Sequence, residues 1–174
     1  MKKKFAFTVL VLVAALLPLS LHAQNSLDPA RLQAIRQNCA SIQTILSQQQ
    51  KRDLVTRTNR GRAYEAQNKQ IDALQRRLIA NNIASPVLDP LVREYKDRVD
   101  AFRQAYVRYD DHMTVIRQVD CREKPDTFAT LLAELKVMRQ EVGVEVVKGD
   151  EVLARLRQSL VDLKAILPDP RSEN

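Results

Sequence analysis

The sequence predicts an all-α fold: an elongated antiparallel three-helix bundle with coiled-coil-like packing and one disulfide, Cys39 to Cys121. Three observations carry this expectation. Apolar residues recur at intervals of three and four along three long stretches. Proline, which would break such stretches, falls only at their ends. The composition, with three Gly, no Trp and abundant Gln, Arg, Leu and Ala, suits long helices and poorly suits a sheet or a deep catalytic pocket.

The first helix is expected over residues 29–80. Asp28-Pro29 reads as an N-cap followed by proline at the first helical position, where a missing N–H costs nothing. Leu32, Ile35, Cys39, Ile42 and Leu46 form one narrow apolar stripe. From Ser47 to Arg62 the stripe fades into Gln48-Gln49-Gln50 and then Lys51, Arg52, Arg57, Arg60 and Arg62, with Leu54 and Val55 the only clear apolar residues. Tyr64, Ile71, Leu74 and Leu78 restore it, with a change of register expected near Gly61. Asp89-Pro90 repeats the cap-plus-proline signal and opens a second helix, about 90–119. Its stripe of Leu91, Tyr95, Phe102, Tyr106, Tyr109, Met113 and Ile116 holds most of the chain's aromatic rings outside the leader. Cys121 to Pro125 is a charged connector, and Asp126 or Thr127 then caps a third helix, about 127–167, stopped by Pro168 and Pro170. Gly143 and Gly149 each cost about 1 kcal/mol relative to Ala inside a helix, so a kink or a break with Asp150 as a fresh cap stays open.

The cysteines constrain how these helices lie. In a tight hairpin, Cys121 would face a residue near 51, roughly 18 Å along the axis from Cys39, and no bond would form. If residues 82–90 instead run extended back along the first helix, burying Ile83, Val87 and Leu88, eight residues reach up to about 26 Å and the bond closes. The third helix then starts beside Cys39 and ends level with about residue 80. The bond would close a loop of about 82 residues, which the chain-entropy model values at about 4–5 kcal/mol. Two free thiols are the alternative.

An oxidising compartment favours the disulfide. Lys2, Lys3 and Lys4 precede an uncharged apolar run from Phe5 to Leu21, closing on Leu21-His22-Ala23, the pattern of a Sec-type signal peptide over 1–23. An uncleaved anchor is the rival, since about 17 apolar residues is at the short limit for spanning a bilayer. After cleavage, 24–28 is a short N-terminal segment, 29–167 the bundle and 168–174 a disordered tail, with no transmembrane segment remaining. Loss of the three lysines takes the formal charge from +7 to +4, a moderate excess.

No catalytic, cofactor or metal constellation is visible, and the sequence implies neither an enzyme nor a cofactor. His112, the one histidine outside the leader, is expected on the solvated edge of the second helix, without the convergent ligands or the nucleophile that metal binding or catalysis needs. At 100° per residue Lys51, Arg62, Lys69 and Arg76 fall within about 20° of one line, which would track an anionic envelope polymer, a membrane surface or a partner; nucleic acid is not favoured, because aromatic interleaving is absent. The plainer expectation is a solvated face paired with Glu134, Glu141 and Glu145. The polar string from Thr58 to Glu65 is expected to fix register or to form a partner-binding notch.

Asn38-Cys39, the run Asn59-Arg60-Gly61-Arg62-Ala63-Tyr64-Glu65 and the tyrosines of the second helix resemble features of small exported helical proteins from uncharacterised bacterial lineages with reduced genomes. The resemblance implies an exported helical protein and no activity or site residue. The expectation is a structural or protein-interaction module of the periplasm or cell envelope, with a protein partner or self-association. A holdase-type chaperone is the alternative of similar physical profile.

Overall fold

A computed structural model describes residues 28–166. The expected signal peptide, residues 24–27, residue 167 at the expected end of the third helix and the tail 168–174 lie outside the described residues. Three helices pack side by side: α1, Pro29–Ala80; α2, Leu88–Gln118; and α3, Pro125–Ile166. The disulfide joins Cys39 of α1 to Cys121, just beyond α2, with Cα atoms 5.5 Å apart. The longest helix, α1 with 52 residues, is about 78 Å long, so the bundle is elongated.

Each start and stop has a local cause. The Asp28 carboxylate accepts from the Ala30 N–H at 3.0 Å, and Pro29 stands at the first helical position, as the sequence implies. At the other end Asn82 adopts φ 54°, the left-handed conformation asparagine tolerates best after glycine. The Ile83 N–H then reaches the Leu78 carbonyl at 2.9 Å and the Asn82 N–H reaches Ile79 at 3.0 Å. This is a Schellman motif, and the half-buried Ile83 packs on the core that holds Leu78.

The second helix starts two residues before the expected Pro90. The Ser85 carbonyl receives the N–H groups of both Leu88 and Asp89, so the first turn is formed before the proline, whose missing N–H would have no intrahelical acceptor there. Leu88 is buried as expected, but Val87 points outward and is 63% exposed. The third helix also begins early, at Pro125 instead of residue 127. Asp120 holds the preceding turn by accepting from the N–H groups of Arg122 and Glu123, which delivers proline to the first helical position. It then runs unbroken through Gly143 and Gly149. At Gly149 an added Cβ would lie 3.7 Å from the Tyr64 hydroxyl and 3.9 Å from Arg98, ordinary van der Waals distances, so the contact of α3 with its neighbours there does not depend on the glycine.

The registers follow from the disulfide and the return segment. Antiparallel α1 and α2 match Gln43 with Val119, Asp53 with Tyr109, Gln67 with Tyr95 and Asp72 with Lys96. Parallel to α1, α3 matches Arg139 with Asp53 and Asp150 with Arg60. The core is an aromatic column on α2: Tyr95, Phe102, Tyr106 and Tyr109 are all buried, and Tyr64 of α1 meets Tyr95 and Phe102 edge-on. Met113, Ile116, Cys121 and Phe128 continue it to the disulfide end with no exposure at all. The α2 and α3 backbones approach most closely, and α1 lies more openly across them.

Candidate interaction groove

Where α1 lifts from the hairpin, a groove of about 520 Å³ opens between α1 and α3. Its origin is visible in α1's inward face. Between Leu46 and Tyr64, both buried, the inward positions hold Asp53, Arg57 and Arg60, which keep solvent contact instead of closing on the core. Opposite them α3 offers Gly143, where an added Cβ would meet nothing within 4 Å. Phe102, Tyr106, Val142 and Val146 make the apolar floor.

Four cations wall this groove: Arg57 and Arg60 from α1, Lys136 and Arg139 from α3. Two of them are held within the molecule. Arg60 pairs with Asp150 at 3.1 Å, and Arg139 with Asp53 at 3.4 Å. Arg57 instead lies over the Tyr106 ring, 4.8 Å from its centroid, and among the described residues neither Arg57 nor Lys136 has a carboxylate within 4.0 Å. The Tyr106 hydroxyl, buried in the groove wall, has no hydrogen-bond partner. Its burial pushes its pKa up to about 12, and the nearby Asp110 and Asp53 add to the shift.

Asp53 anchors the groove floor. Its carboxylate accepts from Gln49 at 2.7 Å and from the buried Tyr109 hydroxyl of α2, besides Arg139 of α3. Burial and this hydrogen bond hold the Tyr109 phenol above its ordinary range. One carboxylate therefore links all three helices and fixes the distance across the groove.

The expected site residues separate into two sets. Cys39 and Cys121 are buried and bonded. Lys51, Arg62, Lys69 and Arg76 are all exposed on the outward side of α1, away from the groove, with Lys69 engaged by Glu65 of its own helix at 2.8 Å. The acids expected to pair with that line face α2 instead: Glu134 lies near His112, Glu141 near Arg108, and Glu145 between Arg98 and Lys148. His112 is likewise not on a solvated edge. Its side chain is 12% exposed and donates its Nε2–H to the Leu131 carbonyl at 2.8 Å, tying α2 to α3.

The groove cations were legible only in part. Arg57 and Arg60 lie one helical turn apart on the same side as Tyr64, so two bases interrupting a core stripe were the available signal. Lys136, Arg139 and Gly143 gave none, because their approach to Arg57 depends on the register that the disulfide sets. Among the described residues no group of three or more His, Cys, Asp and Glu is placed to hold a metal ion. No described helix is long and apolar enough to cross a membrane. The class that fold and site define is a disulfide-tied three-helix bundle with a basic-walled, apolar-floored groove. Comparison with known proteins finds no family model, no curated protein and no solved structure that matches the chain.

Proposed function

We propose that this protein is an exported protein-interaction module of the bacterial cell envelope, and that the groove between α1 and α3 receives an acidic, partly apolar segment of a partner protein. The observation that supports this reading most is the pair of unmatched cations, Arg57 and Lys136, standing over an apolar floor. Carboxylates of a partner segment would complete both, and an apolar side chain would cover the partly exposed Val142 and Val146 and displace water from them. The signal-peptide pattern supports the compartment.

The test is binding of a designed helical probe with glutamates on one side and leucines on the other, against the same peptide with lysines replacing the glutamates. The acidic probe is expected to bind the folded, oxidised protein, to weaken as salt rises, and to lose about tenfold in affinity in the Arg57→Gln/Lys136→Gln variant. Equal binding of the acidic and basic probes, or an affinity unchanged in the variant, contradicts the reading.

A second reading rests on the outward line of Lys51, Arg62, Lys69 and Arg76. Four exposed bases on one side of a helix offer a surface for an anionic envelope polymer or lipid headgroups. Cosedimentation with anionic vesicles, lost when Arg62 and Arg76 are both changed to Gln, would support it over the groove.

A further inference from the structure

The third helix is apolar on two sides, and the bundle uses one. Leu135, Leu153 and Leu156 face the core. On the opposite side Val137, Val144, Val147 and Val161 are 53, 49, 56 and 62% exposed, and over residues 125–165 of α3 they are all the large exposed apolar residues. These valines do not fall at random. Steps of seven, three and fourteen residues separate them, and the positions that complete a strict alternation of three and four between Val137 and Val161 are Gln140, Glu151, Ala154 and Gln158, each exposed as well. Ala133 extends the series by one step, so it covers four heptads, about 42 Å of helix. An amphipathic helix needs one apolar stripe to join its own bundle, and a second stripe in register with a heptad repeat is a seam for another helix.

We infer that this seam is an interface between two copies of the chain, paired in parallel and in register through α3. Charge complementarity selects this occupant and this orientation. The residues flanking the seam on one edge are Lys136, Gly143, Asp150 and Arg157; those on the other are Glu141, Lys148, Arg155 and Asp162. In a parallel coiled coil each residue of the first edge meets the partner residue five positions further along on the second edge. That brings Lys136 to the partner's Glu141, Asp150 to the partner's Arg155 and Arg157 to the partner's Asp162, all of opposite sign, while Gly143 leaves Lys148 unopposed. An antiparallel pair would set Lys136 against the partner's Arg157. Asp150, Arg155 and Glu141 already lie against Arg60, Glu94 and Arg108 of their own chain, contacts that the seam pairs would share. Glu151 meets its own copy in the seam, a like-charge contact that weakens the dimer and makes it reversible.

Sedimentation velocity of the oxidised protein over a range of concentrations tests this. The wild type is expected to pass from monomer to dimer; Val144→Lys with Val147→Lys abolishes the dimer; and Glu151→Leu tightens it at least tenfold. All three positions are exposed, so the helix content of each variant should match the wild type. Arg157→Glu is expected to weaken the dimer at least threefold and Arg157→Glu/Asp162→Lys to restore it. A monomer at every concentration in both the wild type and Glu151→Leu overturns the inference, as does a dimer indifferent to the two valine substitutions. Strengthening by Arg157→Glu overturns the parallel arrangement. No partner protein is present in these measurements, so their outcome is separate from that of the groove.

Discussion

Every tyrosine of the chain, Tyr64, Tyr95, Tyr106 and Tyr109, is buried in one column, so these side chains report the packing of all three helices. Burial raises the phenol pKa of each, to about 12 for Tyr95 and Tyr106. A pKa raised by folding contributes stability that is complete below the unfolded value near pH 10 and is lost as pH rises through the folded value near 12. Tyrosinate absorbance should therefore stay flat past pH 10 and rise near pH 12 together with loss of the helical dichroism, whereas in urea it should rise near pH 10. Independent ionisation near pH 10 with helices intact would show that the column is solvated. At this scale the sequence revealed the tyrosines as a stripe but not their partners. Asp53, which accepts from Tyr109, stands in a run of polar residues with nothing local to mark it as inward.

Helix termini were readable where the signal is local and misread where it is not. Asp28-Pro29 caps α1 as its residues imply, because the acceptor and the N–H it satisfies are two positions apart. The same dipeptide at Asp89-Pro90 misplaces the start of α2 by two residues, because the carbonyl of Ser85 reaches forward over it. The turn after α1 depends on Asn82 in the left-handed conformation. Asn82→Ala is expected to destabilise the protein by about 1 kcal/mol in urea denaturation, and Asn82→Gly to be neutral or slightly stabilising, because alanine keeps the Cβ penalty and loses the polar side chain that offsets it, whereas glycine removes the penalty. Equal losses for both would mean that the asparagine side chain, not its backbone conformation, holds the turn.

The molecule as a whole is a close α2–α3 hairpin with a long helix laid across it and tied at one end. This arrangement was legible from two cysteines and a chain length, which require the connection after α1 to turn back along that helix; it does so through two hydrogen-bonded turns, at 81–82 and 86–87, and not as the extended run expected over 82–90. The groove was not legible, since it arises from what α1 and α3 fail to fill once their register is set. The tie closes a loop of 82 residues, and replacing both cysteines by alanine should cost up to about 4–5 kcal/mol. Hydrogen exchange after reduction should show α1 amides near Cys39 losing protection before those of α2 and α3, because α1 has the fewest packing contacts to fall back on. Uniform loss across the three helices would instead mean that they unfold as one unit.

The most direct test of the groove as a docking site is a photoreactive benzophenone amino acid at position 143, where a new side chain meets nothing within 4 Å, with Arg62 on the outward side of α1 as the control position. In intact envelopes, with the α3 seam blocked by Val144→Lys/Val147→Lys, irradiation should yield one discrete adduct from position 143, whose crosslinked peptide is acidic, and that adduct should disappear in the Arg57→Gln/Lys136→Gln background while position 62 gives none. No adduct from position 143, or the same adducts from both positions, would contradict the account.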